Sequence, residues 1–252
     1  RMREGSESRR NDDVGLTHVH HFYTHRNLFT MSTLLSYRNL FTKANSHLYM
    51  DGIQTISISL VSKFTRYKYK RGGNSMLSGT LYIGSTTAEQ NVIKILSARL
   101  KDIIIAKNNI QAHQCSIETR SSTRLNLNEN ILDYIFVDPP FGGNLMYSEL
   151  NFLWEAWLRV FTNNKPEAII NPVQHKGLYE YQALMQACFD EFFRVLKPGR
   201  WMTVEFHNSQ NAVWNAIQEA LMRARFVIAD VRVLDKQQQT FKQVTTSAAV
   251  KQ

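Results

Sequence analysis

The sequence predicts an α/β domain built on a largely parallel sheet. Three observations carry that expectation. In the second half, apolar runs of strand length alternate with longer stretches of helical spacing. The run Asp133–Val137 (DYIFV) is almost continuously apolar, as a strand buried on both faces is. Breakers bound these runs: Asp138-Pro139-Pro140 closes the first, and Lys197-Pro198-Gly199 separates a helix from the next strand.

In chain order, residues 1–17 are polar and charged and read as a loose arm. From Arg26 to Phe41, the residues Leu28, Met31, Leu34, Leu35 and Phe41 fall near helical spacing, with Thr24 as N-cap. Residues 53–64 fit two states. Ile56, Ile58 and Leu60 alternate like a strand, whereas Ile53, Ile56, Leu60 and Phe64 fit a helix. Residues 62–76 form a basic loop with interleaved aromatics. Thr80–Ile83 reads as a strand, Gly84 as a turn and Ala88–Leu100 as a helix. Ile103–Ala106 and Cys115–Glu118 read as short strands. Tyr147–Phe161 is helical, with Leu150, Leu153, Trp154, Trp157 and Leu158 on one face. Tyr179–Leu196 is a further helix, Arg200–Phe206 a strand, Ala212–Met222 a helix and Phe226–Leu234 a strand.

Composition narrows the class. The chain has 252 residues, 43% hydrophobic and 20% charged, which excludes a disordered chain or a coiled-coil rod. No apolar run approaches the ~18 residues of a membrane span. The first ten residues, RMREGSESRR, lack the apolar core of a secretory signal. Cys115 and Cys188 form neither a disulfide framework nor a zinc ribbon, which suits a reducing, cytoplasmic setting. His18, His20, His21 and His25 have no acidic or cysteine partner at ligand spacing, so no metal site is expected.

Charge supplies the first functional clue. Lys and Arg number 30 against 21 Asp and Glu, a net charge of +9. Residues 1–130 carry 18 basic and 9 acidic side chains; the remainder carries 12 of each. Such asymmetry points to a polyanion, most simply nucleic acid. Lys68, Lys70 and Arg71, with Tyr67 and Tyr69 between and beside them, make a phosphate-and-stacking surface.

In parallel sheets ligands bind beyond the carboxyl ends of the strands. Two polar clusters fall there: Asp138-Pro139-Pro140-Phe141 and Glu205-Phe206-His207-Asn208. The prolines fix φ and donate no hydrogen bond, leaving a stiff set of carbonyl acceptors. Asp138 adds a carboxylate and Phe141 a ring face. Acceptors beside an aromatic plane suit the exocyclic amine of a flipped nucleobase.

On these residues the chain resembles the amino-group DNA methyltransferases, whose catalytic motif [DNS]-P-P-[YFW] is matched by Asp138, Pro139, Pro140 and Phe141. The stretches LDYIFVDPPFGGNLMYSELNFLWEAWL and FFRVLKPGRWMTVEFHNS are similar to the C-terminal part of large prokaryotic adenine-specific DNA methylases that carry a zinc-ribbon insert. HVHHFYTHRNLFTMSTLL, His18–Leu35, resembles their helix flanking the methionine end of the cofactor. The resemblance covers residues 10–252. It implies a three-layer, Rossmann-like class I methyltransferase sheet with one reversed strand near the end. It implies methyl transfer from S-adenosylmethionine to a DNA base, adenine N6 preferred over cytosine N4. Asp138 and the Pro139 carbonyl would orient the amine, and Phe141 would stack on the base. Phe22, Tyr23, Thr24 and Asp138 would border the cofactor; Tyr147, His207 and Asn208 would face the nucleic acid. Residues 18–125 would form the basic, cofactor-flanking part and 126–252 the catalytic part.

The chain departs from the family in three ways. No Gly-rich cofactor loop is present, and GTLYIGST (Gly79–Thr86) reads as a strand–turn–helix corner. Arg124 stands where an acid is expected. The chain stops at Val250-Lys251-Gln252, where a final strand should begin. A piece of a longer methylase is therefore expected, its sheet incomplete and its cofactor loop supplied by an upstream segment or a partner chain. Two rival readings stay open: a methyltransferase acting on RNA or a protein amide, and a non-catalytic nucleic-acid-binding fragment.

Overall fold

The computed structural model describes residues 1–37, 52, 55, 57–69, 76–109 and 115–233. It is a mixed helix-and-strand structure of two compact units. The first joins Arg1–Ser116 to Tyr147–Thr162; the second joins Ile117–Met146 to Asn163–Gln252.

In the first unit, α1 spans His25–Ser36 and α2 spans Val92–Asn109; α3, Tyr147–Leu158, joins them. Thr24 caps α1 by accepting a hydrogen bond from the Asn27 amide at 3.2 Å. Asn91 does the same for α2 through the Lys94 amide. The core gathers Phe22, Tyr23, Met31, Ile58, Val61, Phe64, Leu81, Val92 and Leu153. Trp154 and Trp157 pack against it from α3, which explains why this helix belongs with the N-terminal residues. Its apolar face, set by sequence spacing, outweighs chain adjacency to the catalytic motif.

Three expectations change here. Residues 1–17 are folded in rather than loose: Met2, Glu7, Ser8 and Asn11 are buried. Ile103–Ala106 continues α2 instead of forming a strand. No glycine or proline separates Leu100 from Asn109, so nothing stops the helix, and a short apolar run alone cannot distinguish the two states. Thr80–Ile83 and Cys115–Glu118 are not strands. Ile53, Ile56, Phe41, Lys70 and Arg71 lie outside the described residues.

The second unit holds a small open sheet of two parallel strands, β1 (Leu132–Val137) and β2 (Leu196–Val204). Tyr134, Ile135, Phe136 and Val137 pair in register with Trp201, Met202, Thr203 and Val204. Leu132 already pairs with Leu196, so Asp133 alone lies opposite residues 197–200. Gly199, at φ 72°, makes the bulge, and Asp133 accepts from Lys197 Nζ at 2.9 Å across it. The strand therefore begins four residues before the expected Arg200, because Lys197-Pro198-Gly199 forms a bulge inside it rather than a gap before it.

Helices α4 (Leu178–Val195) and α5 (Asn211–Arg223) supply the core of this unit. Tyr181, Met185 and Phe189 of α4 meet Val213, Ile217 and Ala220 of α5. Ile135, Val195 and Leu196 form a smaller cluster. The strand expected at Phe226–Leu234 is not formed over the described residues 226–233. A strand needs a ladder partner, and none lies beside it among the described residues. Among the described residues no helix is long and apolar enough to cross a membrane.

Candidate active site

Parallel pairing brings two loops to the carboxyl end of the sheet. The Glu205 amide donates to the Val137 carbonyl at 2.9 Å, carrying the ladder one step past both strands. Asp138-Pro139-Pro140-Phe141 and Glu205-Phe206-His207-Asn208 consequently leave side by side.

Asp138 is exposed and stands outside the hydrogen bonds and ion pairs of the described residues. The loop behind it is held at two carbonyls. Tyr181 Oη donates to the Pro140 carbonyl at 2.6 Å, and Asn208 Nδ2 donates to the Phe141 carbonyl at 3.0 Å. The acceptors left at the rim are the Asp138 carboxylate and the Pro139 carbonyl. The Phe141 ring meets Phe206 edge-on at 5.4 Å and His207 at 6.4 Å, with interplanar angles of 87° and 81°. Such edge contacts fix a ring while leaving a face available for stacking.

Asn208 is the joint of this arrangement. Its Nδ2 grips the catalytic loop, its Oδ1 accepts the Gln210 amide at 2.7 Å, and its carbonyl accepts Trp214 Nε1 at 2.8 Å. Phe206 packs edge-on against Trp214 at 5.0 Å. The start of α5 is thereby tied to Phe141. Asn208 is buried, at 9% exposure.

Gly142 takes φ 64°, and a Cβ there would lie 3.2 Å from Val213 and 3.3 Å from Asn208 Nδ2. Glycine lets the loop press against the joint. Tyr181 and Trp214 were not singled out by sequence reasoning. A signal existed: Tyr181 falls on the core face of α4 with Met185 and Phe189, and a buried tyrosine needs a partner for its hydroxyl.

The second unit also anchors the strand entering the site. Arg194 Nε and Nη2 donate to Glu191 at 2.8 and 2.6 Å, while the Leu125 amide donates to Glu191 at 2.7 Å. Arg194 holds the Glu191 carboxyl down to about 2, and the Leu125 amide helps. Arg124, where the resemblance expects an acid, is exposed next to this anchor.

The remaining expected site residues lie in the first unit. Phe22 is fully buried, stacked on Phe64 at 5.1 Å. Tyr23 Oη donates to the Ile58 carbonyl at 3.1 Å and accepts from Trp157 Nε1 at 3.0 Å; burial pushes its hydroxyl far above the usual tyrosine range. Thr24 is engaged in capping α1 and in a bond to Glu89. Phe22 and Tyr23 are thus core residues of the first unit. A pocket of 170 Å³ lies nearby, lined by Arg26, Asn27, Thr30 and residues 89–93. Tyr147 opens α3, half-buried. Lys68, Tyr67 and Tyr69 are exposed, but Phe64 is core and Lys63 Nζ is held by the His21 carbonyl at 2.7 Å. The basic surface is therefore narrower than the residue pattern suggests.

S-adenosylmethionine needs groups that grip its ribose and its methionine end. Of the residues expected there, Phe22 and Tyr23 are committed to the core, Thr24 caps α1 and Asp138 is exposed. His18, His20 and His21 cluster with ring centroids 4.3–5.5 Å apart. Among the described residues, no group of three His, Cys, Asp or Glu side chains is placed to hold a metal ion. Compared with family models, curated proteins and solved structures, the chain matches none.

Proposed function

We propose that this chain is the amine-orienting part of a S-adenosylmethionine-dependent DNA methyltransferase of Rossmann-like fold, acting in the cytoplasm on an exocyclic amine, adenine N6 preferred. One observation carries the reading: an exposed Asp138 and the Pro139 carbonyl at the end of a parallel strand, beside a Phe141 whose ring meets Phe206 and His207 edge-on and whose carbonyl is held by Asn208.

The chemistry asked of these residues is orientation. The Asp138 carboxylate and the Pro139 carbonyl each accept one hydrogen of the amine, which aims the nitrogen lone pair outward. Phe141 stacks on the base and fixes its plane; base–aromatic stacking contributes about 1–3 kcal/mol. The cofactor, when bound, supplies the methyl group. Positioning of this kind accounts for much of the rate in transfer reactions. The cofactor loop comes from an upstream segment or a partner chain, and the basic first half holds the DNA backbone.

The test is methyl transfer to double-stranded DNA by the complete enzyme with Asp138→Ala. A fall of at least roughly 10²-fold in rate with an unchanged circular-dichroism spectrum is expected. Retained turnover would remove the assignment. A parallel panel of RNA and protein substrates separates the rival specificities.

A further inference from the structure

Helix α3 buries two carboxylates, Glu149 and Glu155, at 2% and 6% exposure. Buried charges persist only when paired. The first eleven residues supply the pairing, from sequence positions more than 140 residues away. Glu149 Oε2 accepts the amides of Glu7 and Ser8, both at 2.8 Å. Two successive amides aimed at one oxygen form an anion nest. The approach depends on Gly5, which has φ 146°; a Cβ there would sit 2.1 Å from Glu149 Cδ.

Two further anchors flank the nest. On one side Arg3 Nη2 donates to Glu155 Oε2 at 2.8 Å and to the Thr162 carbonyl at 2.9 Å. Its guanidinium lies 3.9 Å from the Phe161 ring centroid, and both side chains of the ion pair are 8% exposed. On the other side the Glu7 carboxylate accepts from the Leu81 amide and from Thr80 Oγ1, each at 2.6 Å, and Asn11 Nδ2 donates to the Leu81 carbonyl at 2.8 Å. The Leu81 amide and the Thr80 hydroxyl are thus engaged by the chain's own N-terminal acid.

We infer that residues 3–11 form a clasp that opens and closes as one unit, and that α3 is held more firmly against the core while the clasp is shut. The coupling runs through Glu7, which gives its amide to Glu149 and takes the Leu81 amide and the Thr80 hydroxyl on its carboxylate, with Arg3 four residues away on the same short segment. The clasp is independent of the proposed methyl transfer.

Hydrogen exchange on the full chain tests this. Arg3→Ala is expected to raise exchange at least ~10-fold at its own end and also at the Glu7 and Ser8 amides and in α3, with α4 unchanged as the internal reference. Gly5→Ala should do the same from the nest side, and so should Glu149→Ala, which removes the acceptor of the Glu7 and Ser8 amides. If Gly5→Ala fails to fold, Arg3→Lys, which keeps the charge but loses the planar stack on Phe161, gives the same reading at smaller amplitude. Increased exchange confined to the substituted end would overturn the clasp. So would a rise shared equally by α4, which would mean global unfolding.

Discussion

The catalytic reading turns on how the Asp138 side chain is left free while its neighbours are not. Tyr181 and Asn208 take the Pro140 and Phe141 carbonyls, so the loop is rigid without using its outermost acceptors. Asn208→Ala should therefore cost activity more than its own burial implies. Its loss leaves the Phe141 carbonyl and the Gln210 amide without their partner, worth about 1–3 kcal/mol of stability by denaturant titration. It should also lower kcat while leaving DNA affinity unchanged. A loss of affinity equal to the loss of rate would place Asn208 on the substrate instead. Glu191 gives a pH signature. Its carboxyl is held at about 2 by Arg194, against about 4.3 when unfolded. The depressed value means that its stabilisation is present above pH ~4.3 and is lost as the pH falls toward ~2. Glu191→Gln should flatten the acid limb of the stability curve in that window. An unchanged acid limb would show that the Arg194 contact does not persist in solution.

Elements show where the sequence could be read and where it could not. The positions of β1, α4 and α5 and the carboxyl-end placement of the two polar clusters were legible, because each rests on period, length and breakers that act locally. Thr24 was legible as a cap for the same reason. The burial of β1 on both faces was not, since Tyr134 and Phe136 are exposed. Three further features were not. The N-terminal seventeen residues look unfoldable by composition, yet Arg3 meets one buried acid far along the chain, Glu155, and the Glu7 and Ser8 amides meet another, Glu149, and nothing local announces that. Ile103–Ile105 is apolar in either state, and only the absence of a breaker before Asn109 decides for helix. Phe22 and Tyr23 sit beside residues that resemble a cofactor helix, but burial depends on Ile58, Phe64 and Trp157, which come from other segments. The loop that carries the motif also depends on its glycines. Gly142→Ala should destabilise the second unit by about 1–3 kcal/mol, because φ 64° and a 3.2 Å approach to Val213 both oppose a side chain. Thermal unfolding checks it, and an unchanged midpoint would mean that the loop can relax away from Val213.

The whole molecule divides its charge as it divides its fold. The first unit carries 17 basic and 9 acidic residues, the second 13 and 12. On the proposed reading, polyanion attraction would belong to the first unit and amine chemistry to the second. Substituting Lys68, Lys70 and Arg71 by Gln should weaken DNA binding uniformly across sequences, and it should reduce the salt slope by about one for each phosphate no longer neutralised. An unchanged slope would make this surface merely solvated.

Cofactor affinity is the sharper whole-molecule question, since it asks whether one chain holds both halves of a transfer site. The proposed amine half is the loop of Asp138. For the other half a glycine-rich turn should close on the ribose and methionine. The nearest candidate, around Gly79–Gly84, commits the Leu81 amide and the Thr80 hydroxyl to Glu7. A loop whose donors already hold an internal carboxylate cannot offer them to a ligand without opening the clasp. The isolated chain is thus expected to bind S-adenosylmethionine no more tightly than about 1 mM, the equivalent of ~4 kcal/mol. Isothermal titration calorimetry measures this directly. Micromolar binding would show a cofactor grip within these residues; if Glu7→Gln then tightened it further, the Leu81 loop would be that grip, held shut by the chain's own acid.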